Sequence, residues 1–170
     1  MPNLYRVTGG TPLSGSVSIS GAKNAASKMI LATLLTDEPV TLKNVPRQQE
    51  TAIALAIMEL VGTQTHWNDE HEIVLSTPEI TNPSTLSLTR KNRLSIIAVA
   101  PLLHRKGEAH VPGVEGDKIG PRPIDFHLQI LQSMGAQIIQ DAVGCHVSCG
   151  RRLEGAYVEL PYPSVGATET

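Results

Sequence analysis

Apolar residues fall at helical spacing through residues 23–36 (KNAASKMILATLLT), a run of good helix formers that opens just after a glycine-containing turn. A short apolar stretch at 40–42 predicts a strand. Residues 52–61 predict a second helix, ended by Gly62 at a natural C-cap position. Alternating stretches at 63–67 and 72–76 then predict two strands joined by the polar turn Asn68-Asp69-Glu70. The same order follows again. Residues 92–106 (NRLSIIAVAPLLHRK) predict a helix stopped at Gly107, with Pro101 kinking it or unsettling its first turn. A strand at 109–111 leads through a Gly/Pro-rich loop to a helix over 123–134, with Pro123 in the first turn and Gly135 as the cap. Strands at 137–140 and 145–148 complete the second set.

The chain therefore contains one helix-strand-helix-strand-strand unit twice. The aligned ends read LAIMELVGTQTHW and LQILQSMGAQIIQ, and their capping glycines give a period of 135 − 62 = 73 residues. The fold class is α/β (α+β), built from units that bury their helices by stacking on neighbours. Repeat 1 runs over about 21–78 and repeat 2 over about 88–150, while residues 160–170 look like the start of a third. Residues 4–7 and 15–19 read as strands outside either repeat. Both ends thus look like parts of a larger object, and the chain reads as a fragment or a short paralogue.

Composition narrows the partners. A chain of 170 residues, 41% hydrophobic and 18% charged, is long enough for a real core and unlike a disordered segment. A formal net charge of −2 gives no electrostatic reason to expect nucleic acid or an anionic membrane. At 3% aromatic residues the core must be aliphatic, and a base-stacking surface is not expected. Without a basic-then-apolar leader or an apolar run of bilayer length, the expected compartment is the cytoplasm. Cys145 and Cys149 are too few for a disulfide framework. They share one face of a strand, and with His146 a metal site can be imagined. Two buried thiols are the preferred reading, since no second ligand pair stands at suitable spacing.

Four segments carry candidate chemistry. Ser20-Gly21-Ala22-Lys23-Asn24 is a small-residue turn with Lys and Asn at a helix mouth, where free N–H groups and the helix dipole attract phosphate. By itself it reads first as a helix start with a solvated lysine. Arg90-Lys91-Asn92-Arg93 sits at the equivalent helix of the second repeat, so the two mouths are expected to face one anionic ligand; Arg93, beside the apolar run, is the candidate for a directed contact. The loop from Pro112 to Pro123 holds three glycines and three prolines but no G-x-x-x-x-G-K-[ST] pattern. Its Asp117 is a candidate general acid or a turn aspartate. Ser164-Val165-Gly166-Ala167-Thr168 is a polar helix start, explicable by capping alone.

Taken together, GAKNAA, NRLSI, GDKIGPRPIDFHL and the terminal SVGAT follow one another in an order and spacing that resemble the UDP-N-acetylglucosamine enolpyruvyl transferases. The resemblance covers the whole chain and under half of a full-length enzyme. It implies an inside-out α/β barrel of six such repeats in two domains, with helices central, sheets outside and the active site between the domains. Residues 1–20 would pack with the other domain, and residues 21–170 would form an incomplete domain. It implies phosphoenolpyruvate and UDP-N-acetylglucosamine as substrates, with no cofactor and no metal. Lys23, Asn24 and Arg122 would meet phosphoenolpyruvate. Arg93, Arg122, Pro123, Ile124, Asp125 and Phe126, with Tyr162, Pro163, Ser164 and Val165, would line the nucleotide-sugar site. Asp117 stands where the family commonly has cysteine, as it does in some members, and would donate the proton. The general base and a further arginine would lie beyond residue 170, so the chain alone is expected to be inactive and to need the C-terminal part of the enzyme or to self-associate. A non-catalytic relic or ligand-binding module of the same fold is the alternative, and a 5-enolpyruvylshikimate-3-phosphate synthase-type transferase is the third reading.

Overall fold

The computed structural model of the chain describes residues 4–88, 93–113, 123–150 and 152–170. Its first unit comprises α1 (Lys23–Ala32, continued by a 3-10 turn at Thr33–Leu35), β1 (Val40–Leu42), α2 (Gln49–Leu60), β2 (Gln64–Trp67) and β3 (Ile73–Ser76). The second comprises α3 (Leu94–Ile97), α4 (Val99–Lys106), β4 (Glu108–Pro112), α5 (Asp125–Ser133), β5 (Gln137–Gln140) and β6 (Gly144–Ser148). A last short helix, α6, spans Val165–Thr168. Each unit carries a three-stranded antiparallel sheet with its third strand in the middle: β1-β3-β2 and β4-β6-β5.

The repetition extends to individual hydrogen bonds. Gly62 and Gly135 close α2 and α5 with φ of 101° and 95°, in the left-handed region where a side chain is strained. At each, the glycine N–H bonds to the carbonyl three residues back (Glu59, 3.1 Å; Gln132, 3.0 Å) and the next N–H bonds to the carbonyl five back (Met58 and Leu131, both 2.9 Å). Gln64 pairs with Ser76, and Gln137 with Ser148, so the second hairpin is one residue shorter. Each hairpin turn is organised by an aspartate. Asp69 Oδ1 accepts from His71 N and Glu72 N at 2.6 Å each, and Asp141 Oδ1 accepts from Val143 N at 2.7 Å and Gly144 N at 2.9 Å. These bonds to the charged form hold both carboxyls below the usual aspartate range.

Helices and the inner faces of the central strands make one aliphatic core. Ile30, Leu31, Ile57, Met58, Ile96 and Leu102 are fully enclosed, as are Ile73 and Leu75 of β3. The outer strands β2 and β5 are mostly exposed. The inter-unit linker is fastened to the second sheet, with Thr85 N to His110 O at 2.8 Å and His110 N to Pro83 O at 3.0 Å. Arg105 joins the units: its guanidinium donates to the carbonyls of Thr77 (2.7 Å), Pro78 (2.9 Å), Thr36 (3.1 Å) and Leu34 (3.4 Å).

Several sequence expectations are refined. The helix expected over 92–106 is two segments that break at Ala98, because Pro101 has no N–H to offer the Ile97 carbonyl. Pro123 lies outside the first turn of α5, preceding its N-cap Ile124. Residues 4–7 and 15–19 join neither sheet, and Leu4, Val7, Leu13, Val17 and Ile19 are exposed.

Candidate functional site

Lys23 is the first residue of α1, whose N-cap position is Ala22, a residue with no capping oxygen. The preceding Gly21 is wedged against the first unit's loop: its N–H donates to Asn44 Oδ1 at 3.2 Å, and a Cβ there would fall 1.9 Å from the Asn44 carbonyl oxygen. The close approach fixes where the helix begins. Lys23 Nζ lies 3.0 Å from Glu50 Oε2, and Glu50 is held in turn by the buried Ser27 hydroxyl at 3.2 Å. The ammonium is therefore aimed by a carboxylate on α2, and it is 58% exposed. Its remaining N–H donors can still serve an anion at the helix mouth.

The second cluster is built where α3, α5 and α6 meet. Arg93 precedes α3, and its Nη2 donates to the Pro123 carbonyl at 3.2 Å and lies 3.5 Å from His127 Nε2. Ile124 is half-buried against the core and Asp125 opens α5. Phe126 meets Tyr162 ring to ring at 5.4 Å between centroids. Ser164 caps α6 by accepting from Ala167 N at 3.3 Å, and Val165 is exposed. Pro163 sits between these contacts in the exposed turn before α6. Of the residues expected to line the nucleotide-sugar site, Arg93 and Pro123 through Phe126 thus gather with Tyr162 through Val165.

Lys23 and Asn24 stand apart on the first turn of α1. Their link to the cluster runs through Lys28, whose Nζ donates to Asn24 O at 3.2 Å and pairs with Glu169 at 3.4 Å. Helix α1 also packs on α3. Asp117, Arg122, Arg90 and Lys91 lie outside the described residues.

Two members of the neighbourhood were not anticipated. Glu50 carries no signal in the sequence beyond its place in the first turn of a predicted helix. His127 follows directly on RPIDF and is almost wholly enclosed. Burial, and after it the Arg93 charge, push the His127 imidazole down to about 4 against an opposing pull from Asp125.

The cysteines and His146 do not converge. Cys145 faces the core with a thiol pushed up by burial, and half-buried Cys149 packs against the same core. His146 projects from the other face of β6, where its Nδ1 meets Nδ1 of His110 at 2.6 Å. Among the described residues no group of three or more His, Cys, Asp or Glu is placed to hold a metal ion, and no helix is long and apolar enough to cross a membrane.

Comparison with known proteins shows what the chain as a whole is similar to. Residues 7–170 match the family EPSP synthase (3-phosphoshikimate 1-carboxyvinyltransferase). The chain is 41% identical over 171 residues to a UDP-N-acetylglucosamine 1-carboxyvinyltransferase of Chlamydia pneumoniae, covering 98% of this chain and 37% of that protein. It is 38% identical to the enzyme of the same name from Caulobacter vibrioides (strain NA1000 / CB15N), over 96% of this chain and 39% of that one. The chain therefore spans well under half the length of these curated relatives. Among solved structures, the enolpyruvyl transferase NikO from Streptomyces tendae superposes with a TM-score of 0.67 at 19% identity, covering 85% of this chain and 32% of that chain. EPSP synthase from Acinetobacter baumannii superposes with a TM-score of 0.68 at 16% identity, covering 91% of this chain and 36% of that chain. At such identities these two speak for the fold, and they agree with the α/β repeat architecture.

Proposed function

The chain belongs to the EPSP synthase (3-phosphoshikimate 1-carboxyvinyltransferase) family, and from that premise we propose that it supplies the first part of a UDP-N-acetylglucosamine enolpyruvyl transferase. The observation that carries the choice of acceptor is 41% identity to an enzyme of that name along 98% of the chain. The clustering of Arg93 with Pro123–Phe126 and the α6 segment supports it.

In this reading the 3-hydroxyl of UDP-N-acetylglucosamine adds to C2 of phosphoenolpyruvate, losing its proton to a base, while C3 takes up a proton. Phosphate then leaves from C2 as C3 gives up a proton, restoring the double bond of the enolpyruvyl ether, the committing step of peptidoglycan synthesis in the cytoplasm. Lys23 at the uncapped mouth of α1 binds the phosphate, with Asn24 beside it. Arg122 meets the same substrate. Arg93 and Arg122, Pro123, Ile124, Asp125 and Phe126, with Tyr162, Pro163, Ser164 and Val165, hold the nucleotide sugar. Asp117 supplies the C3 proton, which requires surroundings that keep its carboxyl protonated.

The remaining site groups come from a polypeptide corresponding to the rest of the relatives' length, and in its absence the chain self-associates and does not turn over. Residues 1–20 pack against that second part, a role the exposed apolar side chains of Leu4, Val7, Leu13, Val17 and Ile19 suit. The test is acceptor choice. With a complementing C-terminal polypeptide supplied, phosphate release from phosphoenolpyruvate should require UDP-N-acetylglucosamine. Release with shikimate 3-phosphate instead would replace this reading by the shikimate one.

A further inference from the structure

The contacts of His127 fix its tautomer. A guanidinium only donates, so the nitrogen facing Arg93, Nε2 at 3.5 Å, is the unprotonated one. The neutral ring then carries its proton on Nδ1, which donates to Thr170 Oγ1 at 2.5 Å. The Thr170 hydroxyl in turn reaches the Gly166 carbonyl at 3.4 Å, inside α6. The donors thus run in one direction, from Arg93 through the imidazole and Thr170 to α6. Gly166 of α6 also lies beside the ring, where a Cβ would stand 3.4 Å from its Cε1 and Nε2, in ordinary van der Waals contact. Charged groups near the ring are Arg93, whose cation opposes protonation, and Asp125, which favours it.

We propose that His127 is a positioning residue, whose neutral imidazole sets the Arg93 guanidinium and the α6 segment in one fixed relation so that both sides of the nucleotide-sugar pocket form together. The inference rests on the functional reading above for the identity of that ligand. Arg93 also donates to a loop carbonyl, Pro123 O, and α6 is a single helical turn. A bridge between them restricts both, and ordering a site before binding raises affinity.

Two measurements on the full chain test this. The first is the side-chain 15N spectrum at pH 7: His127 should appear as the neutral form with the proton on Nδ1, and stay neutral well below pH 6. A ring protonated at pH 7, or carrying its proton on Nε2, would overturn the inference. The second is titration with UDP-N-acetylglucosamine followed by amide shifts. His127→Phe fills the space without a polar atom and should weaken binding about tenfold, the scale of one hydrogen bond to a charged group. His127→Gln, which can present an acceptor near the Nε2 position, should stay within about threefold of the native chain. Equal weakening by both variants, each shown folded by its melting curve, would contradict the role. Should neither the native chain nor its mixture with the complementing C-terminal polypeptide respond to the nucleotide sugar, the functional reading fails separately. His127 is then judged by whether His127→Phe shifts the Arg93 side-chain and Val165–Thr168 signals, as proposed, or leaves them in place, which overturns it.

Discussion

Single residues set the conditions for the site. Gly62 and Gly135 occupy the same left-handed conformation, yet their surroundings differ: a Cβ on Gly62 would sit 2.5 Å from Thr81 Oγ1, while nothing lies within 4 Å of one on Gly135. Gly135→Ala should therefore cost about 1 kcal/mol from backbone strain alone, and Gly62→Ala measurably more, as read from urea unfolding midpoints. Equal losses would mean that Thr81 moves aside freely. His127 gives a pH signature. Its folded-state pKa is lowered to about 4 from 6.5, so the unfolded chain binds a proton that the folded chain refuses between those values. Stability relative to His127→Gln should fall as the pH drops from 6.5 toward 4 and level off below. At the loop, a carboxylate attacks an epoxide more poorly than a thiolate does. Under the proposed assignment of Asp117 to the place where the family commonly has cysteine, the complemented enzyme should keep its activity in fosfomycin, an epoxide that alkylates that cysteine, and progressive inactivation would contradict the assignment.

At the scale of elements, Arg105 fastens one unit to the other through four backbone carbonyls. Lysine there retains the charge but cannot reach four carbonyls in a fork, so Arg105→Lys should lower stability by about 2 kcal/mol in urea unfolding. The hairpin aspartates act within units. Their lowered pKa values mean that they stabilise above the ordinary aspartate range and lose that effect as the pH falls through the folded values. Asp69→Asn and Asp141→Asn should each flatten the acid limb of the stability profile. The unit itself was legible in the sequence because periodicity and capping glycines are local signals. Gly62 and Gly135 announced both the helix ends and the 73-residue period. The break at Ala98 was only half legible, since Pro101 marks a disturbed helix without saying where it parts. Glu50 and His127 were not legible at all: one acts on Lys23 from another helix, and the other takes its meaning from Arg93 and Thr170, 34 and 43 residues away. Long-range pairing leaves no periodic trace in a sequence.

The molecule as a whole has two units packed on one aliphatic core, followed by the short helix α6. A groove of about 300 Å³ lies between α1 and the α3–α4 pair, lined by Met29, Leu35, Ile97 and Ala100 and reaching Glu169 and Thr170. Met29 and Leu35 are 52% and 55% exposed there, the kind of apolar face that stacked repeats cover. Without a covering polypeptide the chain should therefore sediment as more than a monomer, and a single monomeric boundary at all concentrations would count against self-association. The central claim, that this chain holds one part of an enolpyruvyl transferase site, is tested most directly by phosphate release from phosphoenolpyruvate in the presence of UDP-N-acetylglucosamine. The chain is assayed alone, the complementing C-terminal polypeptide alone, and the two mixed. Release in the mixture only, abolished by Lys23→Ala, is the predicted result. Silence in the mixture with both chains folded, or turnover by the isolated chain, would contradict the account.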